Sequence, residues 1–526
     1  MKNKKGFTLI ELLAVIIILA VIALIATPIV LNVIESAKKS ANKDSAYGLL
    51  DSAKLYYMES LLDESKNLSG NLIDKINISG SKPDSGSIYI NNSGEVALAV
   101  VYDKVCYIKN YSDTELTETD DINNCKIKVV YKDAVLNGAD PELKDNLVPV
   151  VINNDGTVKK ADLYSEWYNY TNKTWANAVI LKDKSISYND EEIIPESNID
   201  GYFVWIPRYK YEIFNEGNYT TVTTVDSKPN ESAEQEIQVV FENKNTTKSV
   251  GSTVGSYLTH PAFTLGTEEL NGIWIGKYET SGTTTDIDVL PNVTSLRSIN
   301  VKTMFDLAYN YDRSLDSHMM KNTEWGAVAY LSHSRYGINS EVRINNSATY
   351  TTGCAATVPA LNYVGKSQSD HTEGYYNGCE NAYNTDIGYL ASTTGNISGI
   401  YDMSGGAWEY MASYMDGVYG SSGFDASSIS KYDSKYFDVY SGNSYNKRIL
   451  GDATGELGPF YSYKDSDNGQ RYHSTWASNH ATFIDYSNPW FGRGGNYNRG
   501  IIAGLFAFNW VTGDAYSYVS FRLVLK

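Results

Sequence analysis

Lys5-Gly6-Phe7-Thr8-Leu9-Ile10-Glu11 opens an apolar run that continues from Leu12 to Leu31, interrupted only by Thr27 and Pro28. A helix of that length is about 30 Å long, enough to cross a bilayer. Lys2, Lys4 and Lys5 in front of it favour a cytoplasmic N-terminus. A secretory signal has a shorter apolar stretch with a small-residue cleavage site behind it. That pattern is missing here, so the segment 7–31 is expected to be kept and to hold the chain in the membrane. Glu11 breaks the pattern. A carboxylate at the edge of an apolar helix either reaches out to the headgroups or has a partner. Beyond the span, Ser36 to Leu62 reads as an amphipathic continuation, with Leu49, Leu50, Ala53, Tyr57, Leu61 and Leu62 at helical spacing.

The stretch from Lys5 to Glu11 resembles the cleavage and methylation site of type IV prepilins. The resemblance implies a leader of residues 1–6, cutting after Gly6 by a prepilin peptidase, and methylation of the new amine on Phe7. It also implies that Glu11 pairs with the Phe7 amine of a neighbouring pilin subunit during assembly. A carboxylate and an ammonium that meet in an apolar bundle each lower the other's desolvation cost. Pro28 stands where helices of that family often bend, in keeping with proline's missing donor.

The whole chain has 526 residues, 42% hydrophobic and 20% charged, so it can bury a core and is long enough for two or three domains. A net charge of −18 argues against a nucleic-acid partner, which would need a broad basic face. Tyrosine is abundant, 43 residues against 14 phenylalanines. It suits strands and it suits binding loops. Of the tyrosines, 17 precede residue 264 and 26 follow, which tilts the excess toward contact surface in the second half.

Ser87 to Asp133 alternates as strands do, with Ile88 and Ile90, then Val96, Leu98 and Val100, around the turn Asn91-Asn92-Ser93-Gly94. Cys106 and Cys125 flank an acidic loop and read either as a local disulfide or as two reduced thiols. Residues 7–140 are thus expected to form a long helix with a small pilin-type antiparallel sheet. Residues 141–200 read as a connecting module around Trp167, Tyr168, Tyr170 and Trp175, without visible chemistry.

Residues 201–526 form one long block, with a polar insertion expected from Asn215 to Ser256. Four segments in it belong together: Gly272-Ile273-Trp274-Ile275-Gly276-Lys277-Tyr278-Glu279-Thr280; Asn322-Thr323-Glu324-Trp325-Gly326-Ala327-Val328-Ala329; Gly399-Ile400-Tyr401-Asp402-Met403-Ser404-Gly405-Gly406-Ala407-Trp408-Glu409-Tyr410; and Arg493-Gly494-Gly495 followed by Ser520-Phe521-Arg522-Leu523. In order and spacing they resemble the formylglycine-generating-enzyme, or sulfatase-modifying-factor, domain. That domain belongs to the C-type-lectin-like folds. The fold class expected for the chain is therefore α+β: a long helix with a small sheet, then a loop-rich mixed domain. The resemblance does not extend to catalysis. Formylglycine formation uses two copper-binding cysteines near the C-terminus, and no cysteine follows Cys379 here. An iron-dependent branch uses clustered histidines, and His260, His318, His333, His371, His473 and His480 lack paired-ligand spacing. No metal, no other cofactor and no enzymatic activity are expected. Cys354 and Cys379 are expected to join across the loop holding Tyr363, Tyr375 and Tyr376. Asp433, Asp465 and Asp467 match no calcium-loop spacing.

From Trp490 to Lys526 the chain reads as two or three strands. Phe506, Phe508 and Trp510 alternate onto one face, either core or ligand contact. Thr512-Gly513-Asp514 turns the chain, and Val519, Phe521, Leu523 and Leu525 return as core. Tyr497, Asn498, Arg499, Ile501, Ile502, Tyr516 and Tyr518 fall in or beside turns as candidate contacts. This terminus resembles the variable region of diversity-generating-retroelement targets, in which adenine mutagenesis varies residues around Arg-Gly-Gly and a final Phe-Arg strand. Trp510 cannot arise from an asparagine codon and departs from that pattern. Together these readings describe a cell-surface or pilus protein with most of its chain extracellular. It would be a minor or tip pilin whose lectin-like domain is an adhesin for a protein or glycan. The alternatives are a surface-tethered metal-dependent oxidase of the formylglycine-generating type and a structural pseudopilin.

Overall fold

The computed structural model describes residues 8–526 apart from 64–65, 67, 69, 79, 92–93, 112, 128–129, 214–235, 252–255, 358–374, 445–446, 455–460, 465–470 and 476–478. For residues 124, 461–464, 471–474 and 501 it describes the backbone alone. The chain divides into two compact units, Met1–Tyr131 with Leu163–Glu166 and Lys132–Asp162 with Trp167–Lys526.

The first unit starts with one helix, α1 (Leu9–Ser60), which runs through Pro28. Its large apolar side chains from Leu9 to Ile34 are uncovered, and the helix is long and apolar enough to cross a membrane. The second half behaves differently. Ala46, Leu49, Leu50 and Ala53, one stripe at spacings of three and four, are buried. They pack on an antiparallel meander of β1 (Ser85–Ile90), β2 (Val96–Tyr102), β3 (Val105–Lys109) and β4 (Thr117–Thr119). Strand alternation gives the sheet two apolar faces. Ile88, Ile90, Leu98 and Val100 meet the helix, while Tyr89, Ala97, Ala99, Cys106 and Ile108 pack with Ile127 and Tyr164. Asp103 and Lys104, at φ of +46° and +67°, make the tight β2–β3 turn whose twist a two-residue hairpin requires. Cys106 is bonded to Cys125, with Cα atoms 5.6 Å apart.

The helix does not reach Leu62. It ends at Ser60, Leu61 caps it by donating to backbone carbonyls of its last turn, and Leu61 and Leu62 are exposed. Sheet cover stops near the half-buried Tyr57, so these leucines have nothing to pack on.

In the second unit, a seven-stranded antiparallel sheet runs in the order His318–Met319, Leu523–Leu525, Gly272–Gly276, Ile199–Pro207, Asn177–Leu181, Val148–Ile152, Val158–Lys160. Residues 141–200 thus supply three of its strands. They fold with the long block, and their buried aromatics say why. The Tyr170 hydroxyl donates to the Trp205 carbonyl at 2.6 Å, and the Trp175 indole donates to the Tyr336 carbonyl at 2.8 Å. Asn177–Leu181 and Gly272–Gly276 are buried at every residue, as strands covered on both faces must be. Within the polar insertion, Gln238–Phe241 pairs antiparallel with Tyr209–Glu212.

A second sheet orders Asp438–Tyr440, Trp408–Met415, Trp490–Gly494, Gly504–Val511, His480–Ala481, Arg471–Ser474 and Tyr461–Lys464. The chain end does not return as one hairpin strand. Val519–Phe521 runs parallel to Trp408–Met415 in the second sheet, and Leu523–Leu525 pairs antiparallel with Gly272–Gly276 in the first. The crossing between sheets falls at Arg522. The Asn322–Ser332 helix is buried at every residue. At Gly326 an added Cβ would lie 1.9 Å from the Gly451 carbonyl oxygen, so only glycine permits this approach.

Candidate functional site

The four motif segments meet in the interior. Arg522, fully buried at the crossing, holds Glu409 with its Nε (3.0 Å) and a second guanidinium nitrogen. It also donates to the carbonyls of Gly276 at 2.8 Å and Tyr401 at 3.0 Å. Asp402, at φ of +63°, accepts from Asn345 Nδ2 at 2.8 Å and from Gly353 N at 2.9 Å. Glu279 accepts from Ala407 N at 2.8 Å. Gly406 leaves room for that contact: its φ is +66° and a Cβ there would stand 2.4 Å from Glu279 Oε1. Three buried carboxyls therefore surround one guanidinium. Burial, and then the neighbouring Asp402 and Glu409, hold Glu279 well above the ordinary carboxylate range. Lys277 is buried beside this knot and donates to Asn177 Oδ1 (2.9 Å) and to the carbonyls of Ile397 (2.7 Å) and Gly399 (2.8 Å). Glu324 takes His318 Nε2 at 3.0 Å and the Lys321 amide at 2.8 Å. Arg493 is buried over the rings of Trp325 and Phe508, at 5.6 and 5.5 Å. The motif residues hold loops and sheets together, and their polar groups face each other rather than solvent.

The residues read as ligand contacts separate into two groups. Phe506 and Phe508 are buried core. The His333 ring packs on Phe506 at 4.8 Å and the Arg493 guanidinium on Phe508. Strand alternation alone does not show that cover ends at the next turn of the pleat, where Trp510 is 37% exposed. Tyr497, Asn498, Arg499, Ile502 and Tyr516 are half-buried, and Tyr518 is 36% exposed. The Ile501 side chain, Gly6, Phe7, Tyr363, His371, Asp465, Asp467 and the His473 side chain lie outside the described residues.

A group of half-buried and exposed tyrosines gathers around Arg297. Its guanidinium lies 3.8 Å from the Tyr350 ring centre, donates from Nε to the Ser295 carbonyl at 3.3 Å, and bonds the Ser517 carbonyl from Nη1. Tyr516 and Tyr518 flank Ser517 and stack with ring centres 5.1 Å apart. On the other side, Tyr497 meets Tyr350 edge-on at 5.1 Å, and Tyr375 meets Tyr497 at 5.8 Å. Burial and the adjacent Tyr497 push the Tyr350 phenol up to about 12, with Arg297 opposing. Tyr518 is raised by burial and Tyr516, with Arg499 opposing. The segment carrying Tyr375 and Tyr376 is pinned twice. Tyr376 exchanges backbone hydrogen bonds with Asn346 and Ala348, and Cys379 is bonded to Cys354 with Cα atoms 5.4 Å apart. Tyr375 and Tyr376 are 42% and 47% exposed. Arg297 and Tyr350 had no sequence signal of their own. Arg297 reaches a carbonyl 220 residues away, and Tyr350 sits at φ of +55° in a turn.

The described histidines occupy separate settings. His260, for one, is packed among Tyr209, Tyr211, Phe263 and Tyr330, and burial lowers it to about 3. Among the described residues no group of three His, Cys, Asp or Glu side chains is arranged to hold a metal ion. Asp433 caps a short helical turn by accepting from Lys435 N at 3.0 Å. At the other end of the chain, Glu11 closes a capping box on α1, accepting from the Thr8 amide at 2.9 Å.

Residues 1–27 match the family model described as the prokaryotic N-terminal methylation motif. Three solved structures align over most of the chain, titled Major Tropism Determinant P3c, U1 and I1 variants. Identities are 11%, 12% and 10%, with TM-scores of 0.26, 0.24 and 0.24. The P3c alignment covers 84% of this chain and 83% of that one, the U1 alignment 83% and 82%, and the I1 alignment 84% and 83%. Scores this low do not establish a shared fold. No curated protein matches the chain. What these comparisons establish is local: an N-terminal methylation motif at the head of a long apolar helix.

Proposed function

We propose that the protein is a minor or tip subunit of a type IV pilus-like structure, displayed at the cell surface as an adhesin. Prepilin peptidase would remove residues 1–6, and α1 would anchor the chain and then pack among other pilin helices. Support comes from the methylation motif, the uncovered apolar half of α1, and the packing of its other half on a four-stranded meander, as in a pilin head. Residues 201–526 carry the segments that resemble the sulfatase-modifying-factor domain. Their charged groups are buried and bonded mainly to one another and to backbone, which favours a non-catalytic scaffold. The observation that carries the binding role is the surface cluster of Tyr350, Tyr375, Tyr497, Tyr516 and Tyr518, rigid amphipathic contacts held by a disulfide and by Arg297. Its ligand is a protein or a glycan. Three of these five tyrosines, Tyr497, Tyr516 and Tyr518, come from turns in the C-terminal stretch that resembles retroelement variable regions, which supports diversification of the same surface.

The test is adhesion of cells carrying the wild-type chain against cells carrying the triple variant Tyr375→Ala, Tyr497→Ala, Tyr518→Ala, with immunogold labelling of the pili. The reading expects label at tips or sparse sites and loss of adhesion at unchanged display. Uniform label along the shaft removes the tip assignment, and full adhesion by the variant removes the site.

A further inference from the structure

We propose that this surface, if it is the adhesive site just described, selects acidic sugars, with the Arg297 guanidinium receiving a carboxylate or sulfate of the glycan. Three observations point there. First, Arg297 is pre-organised. Its Nε and Nη1 are tied to the carbonyls of Ser295 and Ser517, and the plane rests on Tyr350. Among the described residues its Nη2 donates no hydrogen bond, and no carboxylate pairs with it. A fork fixed in this way has already lost its side-chain freedom, and its remaining donor suits an anionic oxygen. Second, the cation is unusual for its setting. The chain carries a net charge of −18, yet Arg297 and Arg499 both stand beside the tyrosine cluster. Charge complementarity therefore favours an anionic partner.

Third, the rest of the surface suits a sugar. Beside Tyr350 the hydroxyls of Ser347, Thr349 and Thr351 form a row, spaced 3.0 and 2.9 Å, with Thr349 exposed. Ser347 is buried and accepts from the Thr351 amide, so the row is anchored at one end and presents Thr349 to a sugar hydroxyl, while exposed tyrosine rings offer flat faces to sugar C–H groups.

The full chain, purified in detergent, is passed over an immobilised panel of sialylated, uronic-acid-containing and sulfated oligosaccharides, each beside its neutral parent sugar, with a polyglutamate peptide as a further arm. At least one acidic class is expected to bind about tenfold more tightly than its neutral parent, with the preference shrinking as salt is raised. The three acidic arms separate carboxylate from sulfate recognition. Arg297→Met should bring acidic and neutral sugars to parity, and Arg297→Lys should retain part of the preference, with circular dichroism confirming that both variants are folded. Should Arg297→Met disturb the loop, Tyr518→Ala is the second reading: it should weaken acidic and neutral sugars together. Equal binding of acidic and neutral sugars, a preference unchanged in Arg297→Met, or retention by polyglutamate alone overturns the inference. Those results leave the adhesin reading standing as long as the tyrosine variants still abolish cell adhesion. Adhesion untouched by the tyrosine variants removes both.

Discussion

Two regions of the second unit invite comparison: the motif knot around Arg522 and the tyrosine surface around Arg297. Both tie an arginine to backbone carbonyls. Arg522 is fully buried, pairs with a buried carboxylate and joins two sheets. Arg297 is half-buried, has no carboxylate partner among the described residues, and keeps a donor toward solvent. In the first, every nitrogen of the guanidinium is engaged by a buried carboxylate or carbonyl, which ties the two sheets together. The second is open, and an open, fixed donor is what a binding surface needs. The residues that are easiest to recognise in the sequence are thus the scaffold, and the residues in a position to bind are drawn from plain turns.

The comparison breaks most sharply at the arginine of the knot. Arg522→Met leaves Glu409 buried without its counter-charge, and a loss of about 3–5 kcal/mol is expected in denaturant unfolding of the purified chain. A loss below about 1 kcal/mol would mean that the knot does not join the sheets. Phe508→Ala is expected to cost about 3–5 kcal/mol as a core cavity, whereas Trp510→Ala, two residues along the same strand, should cost less than about 1. Equal costs would erase the boundary between core and surface drawn there. Gly406→Ala forces a Cβ against Glu279 from a left-handed backbone position and should cost about 1–3 kcal/mol.

A pH series sharpens the electrostatic side. Glu279 has a folded-state value raised above the ordinary 4.5, so the fold favours its protonated form. That contribution is complete below the ordinary value and is lost as pH rises through the raised one. Wild type should therefore lose stability with rising pH relative to Glu279→Gln, which is neutral throughout. Parallel stability curves for the two would show that Glu279 is not the proton carrier. The smallest expected effect on stability is at the surface. Tyr518→Ala should shift it by no more than about 0.5 kcal/mol while ligand capture falls. A melting loss as large as that of Phe508→Ala would place Tyr518 in the core instead.

Much of the architecture was readable before folding. The apolar run from Leu12 to Leu31 and the stripe Leu49, Leu50, Ala53 specify where α1 stays bare and where it packs, because a helix repeats every 3.6 residues. The alternation of Ile88, Ile90, Leu98 and Val100 likewise specifies the inner face of the meander. Periodicity fails at the chain end. Val519, Phe521, Leu523 and Leu525 alternate as one strand would, yet the chain changes sheets at Arg522, since pattern alone carries no record of pairing partners. Residues 141–200 escaped for a similar reason: their aromatics are buried by residues far along the chain, such as Tyr336.

By itself, the sequence determined what depends on local order: the processing motif, the membrane-length helix, the acidic balance and the set of segments that travel together. Those properties arise within a few turns of chain, where spacing alone sets which side chains share a face. Only the tertiary structure decided which charged residues are closed and which are open. That distinction depends on desolvation and on partners more than a hundred residues distant, as between Arg522 and Glu409 or Arg297 and Ser517.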